Sequence, residues 1–202
     1  MKFKSQTHFQ RFMLGIICGA LPSACLLFGY LGEIRGTNFP EWFYSISATY
    51  YANSNMCMIG ALCLCAFFLF TYNGYDLGDR TFTLIAAVSA LLIVAFPCAA
   101  TSAEYIGLFA CPAKISDIIH MIAATALFGS FALMTITQFT KGKHESRNTI
   151  YRCCGWIMLA AMFYIGAGYL LGLPGYITMI SEAIMLDAFA LAWVIKSGAF
   201  RR

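Results

Sequence analysis

The chain alternates between long apolar runs and short polar segments. Six apolar runs stand out, at 12–31, 56–72, 81–99, 116–138, 155–172 and 177–196. Each run is close to the length of about 20 residues that a helix needs to cross the hydrocarbon core of a bilayer. The strict alternation of apolar and polar residues that a membrane β-barrel requires does not occur. The pattern therefore predicts six transmembrane helices.

The composition supports the same fold class. Of the 202 residues, 60% are hydrophobic and 11% are charged, whereas soluble domains carry roughly 25% charged residues. A soluble globule of this length could not bury so much apolar surface in one core. We therefore expect an all-α, polytopic membrane protein in which residues 1–202 form a single transmembrane domain, with no room for a separate soluble domain.

The basic residues predict the orientation. One set of loops contains only Arg35 and Lys114, and the other set contains eleven basic residues: Lys2, Lys4, Arg11, Arg80, Lys141, Lys143, Arg147, Arg152, Lys196, Arg201 and Arg202. Because Lys and Arg accumulate in cytoplasmic loops, both the N-terminus and the C-terminus are expected in the cytoplasm. Such short clusters meet anionic lipid headgroups and do not indicate nucleic-acid binding. A bacterial host would hold this protein in its inner membrane, because the outer membrane takes barrels.

Four ionisable residues lie within or at the edge of the apolar runs, where such residues are rare and costly. Asp117 and His120 are three residues apart at the external start of the fourth run and share a helix face. Glu182, about five residues into the last run, is expected at the same depth as His120. Asp187 lies deeper, near the middle of the bilayer. Two interpretations stay open, a polar cavity in the external half of the bundle and a hydrogen-bonded lock between the fourth and sixth helices.

The external loops supply further polar candidates. The first loop, at 32–55, contains Ser47 within an aromatic-rich stretch that is typical of a membrane-interface belt. The second loop, at 100–115, contains Glu104. One of Ser45, Ser47 and Ser102 could in principle form a Ser-His-carboxylate set with His120 and Glu104, but no nucleophile elbow is present. No reaction and no catalytic residue is predicted.

Metal and cofactor sites are not expected. His8 and His144 fall in cytoplasmic segments while His120 is external, so the three histidines cannot meet at one zinc ion. Of the nine cysteines, Cys98 and Cys111 flank one external loop and could pair in an oxidising compartment.

Several short motifs carry a family resemblance. Ser45–Ser47 precedes the second run, His120 opens the fourth, and Glu182 precedes Trp193 in the last. This layout resembles the DRAM/Frag-type six-helix membrane family and similar bacterial membrane proteins, which show an Ile-Ser pair in the first external loop and a His at the head of the fourth helix. Eukaryotic members are linked to autophagy and to GPI-anchor lipid remodelling. The resemblance thus implies a lipid-facing role around Ser47, His120 and Glu182.

Three functional hypotheses follow. The first is a lipid-binding or lipid-handling protein whose partners are membrane lipids. The second is a small proton-coupled transporter or channel subunit that uses Asp187 as a relay. The third is a membrane scaffold without a ligand, in which homo-oligomers form through small-residue faces at Gly15/Gly19 or Gly168/Gly172.

Overall fold

The part of the chain that the structure describes contains six α-helices, as the apolar runs predicted. A computed structural model describes residues 6–33, 44–74, 76–142 and 145–199. The helices are α1 (Gln6–Glu33), α2 (Asn55–Phe70), α3 (Leu77–Ala95), α4 (Ala113–Thr137), α5 (Glu145–Leu171) and α6 (Tyr176–Ser197). Short 3-10 helices occupy Ser47–Tyr51 and Phe139–Lys141, and strands β1 (Tyr105–Ile106) and β2 (Cys111–Pro112) make a small antiparallel hairpin before α4. The all-α class is confirmed.

Five of the six helices are long and apolar enough to cross a membrane. The protein is therefore a multi-pass membrane protein. The exception is α2, whose 16 residues span about 24 Å at 1.5 Å per residue, less than the hydrocarbon thickness of about 30 Å. The 3-10 helix Ser47–Tyr51 packs against α2 and, with Ala48 and Thr49 buried, enters the bundle beside it.

Several predicted boundaries differ from the observed ones by four residues or more; the first run, for example, was expected to begin at 12, but α1 begins at Gln6. The third run was expected to end at 99, but α3 ends at Ala95, because Pro97 cannot donate a helical hydrogen bond and disfavours helical geometry at Phe96. The fifth run was expected to begin near 155, but α5 begins at Glu145. Its first turns are polar, and hydropathy marks only the part of a helix that is apolar.

The helices form a closed ring. Each helix packs against the next one along the chain, and α6 closes the ring onto α1. Gly15 and Gly19 allow α1 to pack closely against α6. A Cβ atom on Gly15 would lie 2.6 Å from Val194 Cγ2, and one on Gly19 would lie 2.9 Å from Ala190 Cβ. This small-residue face, which we considered for assembly, is thus occupied inside the chain.

The second small-residue face does not form as expected. Gly172 lies beyond the end of α5 and has a φ of +64°, so its left-handed conformation terminates the helix. Gly168 is buried and faces Leu173 and Ile177. Both glycines therefore serve the turn from α5 to α6.

The two ends of the bundle differ. At one end, the start of α1 meets the ends of α2 and α6: Gln10 Nε2 donates to the Thr71 carbonyl at 3.2 Å, and His8 Nδ1 lies 2.5 Å from the Ser197 carbonyl oxygen. At the opposite end lie residues 44–54, 96–112 and 172–175, which we call the loop end.

A buried aromatic and cationic cluster fills the end opposite the loop end. The Trp193 ring lies 5.3 Å from Tyr72 and 5.2 Å from Phe139. Arg11 is 1% exposed and donates from Nε to the Tyr72 hydroxyl at 2.8 Å. Lys196 Nζ donates to the Phe139 carbonyl at 2.7 Å. Arg11 and Lys196 were expected to mark a cytoplasmic surface, but aromatic packing draws them into the bundle.

Candidate functional site

A cavity of about 760 Å³ lies at the loop end between α4, α5 and α6. This volume is in the range of about 300–1,000 Å³ that small-molecule sites occupy. Ser45 and Ser47 border it from the loop before α2, and Cys98 borders it from the segment after α3.

The cavity exists because α4 and α5 diverge. About three turns into α5, a Cβ atom on Gly155 would lie 3.0 Å from the Ala132 carbonyl oxygen and 2.3 Å from Ile136 Cγ1, so the two helices touch there. Three turns further on, Gly166 lines the cavity, and a Cβ atom there would meet nothing within 4 Å. The helices are thus closest at the far end and open towards the loop end.

Glu182 forms the part of the polar wall that comes from α6. Its side chain is 7% exposed, and its carboxylate accepts hydrogen bonds from the Ile46 backbone N–H at 2.5 Å and from Ser47 Oγ at 3.3 Å. The turn at the start of the 3-10 helix places these two donors side by side. In this turn, Ser45 Oγ accepts a hydrogen bond from the Ala48 N–H at 2.9 Å. Glu182 thereby ties α6 to the loop before α2.

The first turns of α4 form the opposite part of the polar wall. His120, 2% exposed, has its Nδ1 3.0 Å from the Phe96 carbonyl oxygen; since a carbonyl can only accept, Nδ1 carries the proton. Ser116 Oγ donates to the Pro97 carbonyl at 2.8 Å, and Asp117 accepts from the Ala99 N–H at 2.9 Å. These three side chains replace the hydrogen bonds that the backbone loses where α3 ends.

Four of the six predicted site residues line one cavity: Ser47, Asp117, His120 and Glu182. The direct His120–Glu182 lock that we considered does not form. Glu182 bonds the loop before α2, and the His120 ring bonds the end of α3. Each residue therefore fastens its own helix to a neighbouring segment, and the space between the two remains open.

The other two predicted residues lie elsewhere. Glu104 is exposed beside the β-hairpin, where its backbone carbonyl accepts from the Ala113 N–H at 2.9 Å. Asp187 is exposed on the outer side of α6 and is not among the residues that line the cavity. A proton relay through the cavity would not pass through Asp187 in this arrangement.

The geometry does not assemble a serine nucleophile. Ser47 donates to Glu182, while the His120 Nδ1 is engaged by Phe96, so no Ser–His hydrogen bond joins them. Cys98 and Cys111 are free thiols, and the disulfide that we considered is not formed. Within the described residues, no group of three or more His, Cys, Asp or Glu side chains could hold a metal ion.

Cys98 is the titratable wall residue outside the helices. Burial, followed by the nearby charge of Glu182, raises the pKa of its thiol to about 12. The sequence singled out Cys98 as a possible disulfide partner of Cys111, but it gave no sign that the thiol borders a cavity, because a cysteine at the end of an apolar run most often packs as a small hydrophobe. Gly166 was missed for a similar reason: an isolated glycine in an apolar run is common in membrane helices.

Comparisons of this chain with protein-family models, with curated proteins and with solved structures find no match.

Proposed function

We propose that this multi-pass membrane protein binds a membrane lipid in the cavity between α4, α5 and α6. In this proposal both termini lie in the cytoplasm, as the distribution of basic residues indicates, and the loop end lies on the external side. The headgroup of the lipid would contact the polar wall, and its acyl chain would lie along the apolar side chains of α4 and α5.

The observation that carries the proposal is the combination of a buried polar wall with an apolar mouth. Ile118 and Ile122 of α4 line the cavity and are 53% and 66% exposed, and Leu170 of α5 lines it and is 84% exposed. In a membrane-spanning bundle such side chains face hydrocarbon. A ligand that enters between them must itself be apolar along part of its length.

The polar wall favours a particular headgroup. Its ionisable side chains include Asp117, His120 and Glu182, and among the described residues that line the cavity there is no Lys or Arg. Sites for phosphate groups use cationic side chains and backbone N–H donors. Carboxylate oxygens and serine hydroxyls instead suit a headgroup that has hydroxyl or ammonium donors and no net negative charge, because Asp117 and Glu182 would repel an anionic headgroup. The proposed ligand is therefore a neutral or amine-bearing lipid.

The resemblance to the DRAM/Frag-type family supports the same class of ligand, since its implied lipid-facing residues Ser47, His120 and Glu182 all border the cavity. The transporter hypothesis has no comparable support, because its relay residue, Asp187, is exposed on the outside of α6.

Gly166→Leu tests the proposal, because it fills the cavity without a clash. A Cβ atom at Gly166 meets nothing within 4 Å, and the same holds at Gly60 of α2, which does not line the cavity. Gly60→Leu is therefore a matched control, since both changes replace a helical glycine and raise helix propensity by a similar amount.

The measurement is native mass spectrometry of the three proteins extracted from bilayers of known composition. We expect the wild type and Gly60→Leu to retain phosphatidylethanolamine or diacylglycerol in preference to phosphatidylglycerol. We expect Gly166→Leu to be empty while it unfolds at the same temperature as Gly60→Leu. Lipid that persists on Gly166→Leu, or an empty wild type, would refute the proposal. Preferential retention of phosphatidylglycerol would refute the headgroup assignment.

A further inference from the structure

One carboxyl group lies on the outer surface of the bundle. The outward side of α6 is a stripe of exposed residues at intervals of four, three and four, namely Ile180, Ile184, Asp187 and Leu191. We call it the Asp187 stripe. Asp187 has no hydrogen bond or ion pair to any described residue, whereas Glu182 one turn earlier is buried and hydrogen-bonded.

The depth of Asp187 makes this exposure unusual. It is eleven residues from the start of α6 at Tyr176 and ten from its end at Ser197, which is about 15 Å from either end of the helix. That position is near the middle of a hydrocarbon core of about 30 Å. An aspartate side chain is too short to reach the headgroups as Lys and Arg do.

A carboxyl group at this depth is expensive to leave in lipid, and intramembrane ionisable residues normally pair with one another or face a protein interior. The described helices offer no cation at that depth. The basic residues of the described helices lie within about two turns of a helix end, as Arg11 and Arg152 do. The described part of this copy therefore supplies no partner for the carboxyl group, and a neighbouring molecule in the membrane can supply one.

We propose that a second copy of this chain covers the Asp187 stripe, with the two Asp187 carboxyl groups hydrogen-bonded to each other across a twofold axis normal to the membrane. Such an axis brings identical residues of the two copies to the same depth in the membrane. Each Asp187 carboxyl group therefore meets the Asp187 carboxyl group of the other copy. One protonated carboxyl donates its O–H to an oxygen of the other.

The apolar members of the stripe fit the same arrangement. Intervals of four and three residues are those of a seam between two helices that cross at a small angle. Ile184 and Leu191, 44% and 51% exposed, flank Asp187 and would meet their own counterparts. The seam would thus be dry and apolar on either side of the carboxyl pair.

Cysteine cross-linking in bilayers tests the proposal on a background in which the exposed Cys63 and Cys153 are replaced by alanine. Ile184→Cys and Leu191→Cys should each give a disulfide-linked dimer on mild oxidation. Phe163→Cys is the control, because Phe163 is 79% exposed on α5 and lies away from the stripe. Absence of dimer at both stripe positions, or equal cross-linking at position 163, would overturn the proposal.

Substitution of Asp187 provides the second test. We expect Asp187→Leu to weaken dimerisation about 3- to 20-fold, as loss of an interhelical hydrogen bond in a membrane does, and Asp187→Asn to retain it within about twofold. Because the side chain makes no hydrogen bond or ion pair within the described part of its own copy, both variants should unfold at the wild-type temperature under dilute conditions in which the protein is monomeric. Unchanged dimerisation of Asp187→Leu would contradict the proposal. So would a monomeric wild type that binds a polyleucine helix with a central lysine, since that result would indicate a basic partner helix.

Discussion

The backbone N–H of Ile46 donates a hydrogen bond of 2.5 Å to the carboxylate of Glu182. Both residues are buried, with exposed fractions of 4% and 7%. The bond joins the loop before α2 to α6 and forms part of the cavity wall at the same time. If the cavity binds lipid as proposed, a change at Glu182 acts on both stability and ligand binding, and the two effects must be measured separately.

Glu182→Leu should destabilise the protein by about 1–3 kcal/mol, because it leaves the buried Ile46 N–H without an acceptor. Glu182→Gln should have a smaller effect, since the amide oxygen can still accept from Ile46. The measurement is the free energy of unfolding in mild detergent. Ser47→Ala removes just the 3.3 Å hydrogen bond to Glu182, so its loss of stability should be smaller than that of either Glu182 variant. Equal stability of Glu182→Leu and the wild type would show that the Ile46 contact contributes nothing.

His120 should be replaceable by asparagine without loss of stability. An asparagine amide N–H occupies nearly the position of the histidine Nδ1, so it can keep the hydrogen bond to the Phe96 carbonyl. In His120→Gln the amide group lies where the histidine Nε2 was, so the hydrogen bond to Phe96 should be lost. We expect this loss to lower the free energy of unfolding by about 1 kcal/mol. Thermal unfolding of the two variants distinguishes them. A more stable His120→Gln than His120→Asn would indicate that Nε2 makes the structural contact.

The sequence was sufficient for the helices because lipid imposes a strong constraint: backbone polar groups must be satisfied within each span. The six apolar runs therefore became six helices. The predicted helix boundaries were wrong where polar residues continue a helix beyond its apolar region, as the residues up to Arg152 do at the start of α5. They were also wrong where a single residue ends a helix, as Pro97 does for α3. Hydropathy does not register hydrogen bonding at helix ends.

The candidate site was partly predictable for a related reason. Asp117, His120 and Glu182 stand out because ionisable residues are rare in apolar runs, and they line one cavity. Their partners were not predictable, because three of them are backbone groups, namely the Ile46 N–H, the Phe96 carbonyl and the Ala99 N–H. Every residue has such groups, so sequence alone does not mark which ones are used.

The reactivity of Cys98 should depend steeply on pH. Only the thiolate reacts with alkylating reagents, and with a pKa of about 12 the thiolate fraction rises about tenfold for each pH unit up to that value. Labelling of Cys98, followed by peptide mass spectrometry between pH 7 and pH 10, should therefore increase without levelling off. A thiol with an ordinary pKa of about 8.5 would reach its plateau within this range.

Glu182→Gln provides the control for this titration. The charge of Glu182 raises the pKa of Cys98, so removing that charge should lower the pKa and speed labelling at any given pH. A plateau near pH 9 in the wild type would show that Cys98 is neither buried nor influenced by Glu182. Slower labelling in bilayers that supply the bound lipid would indicate that the ligand covers this thiol.

The buried contact between Arg11 and Tyr72 should be essential to stability at the end of the bundle opposite the cavity. Tyr72→Phe keeps the ring that packs 5.3 Å from Trp193 but removes the hydroxyl that accepts from Arg11 Nε at 2.8 Å. Because Arg11 is 1% exposed, water cannot replace that acceptor, and we expect a loss of about 1–3 kcal/mol in the free energy of unfolding.

Tyr164→Phe is the matched control, since Tyr164 is 51% exposed and its hydroxyl should contribute little. Lipid binding should be unchanged in both variants, because neither residue lines the cavity. Equal stability of Tyr72→Phe and Tyr164→Phe would mean that the guanidinium group finds a replacement acceptor within the cluster.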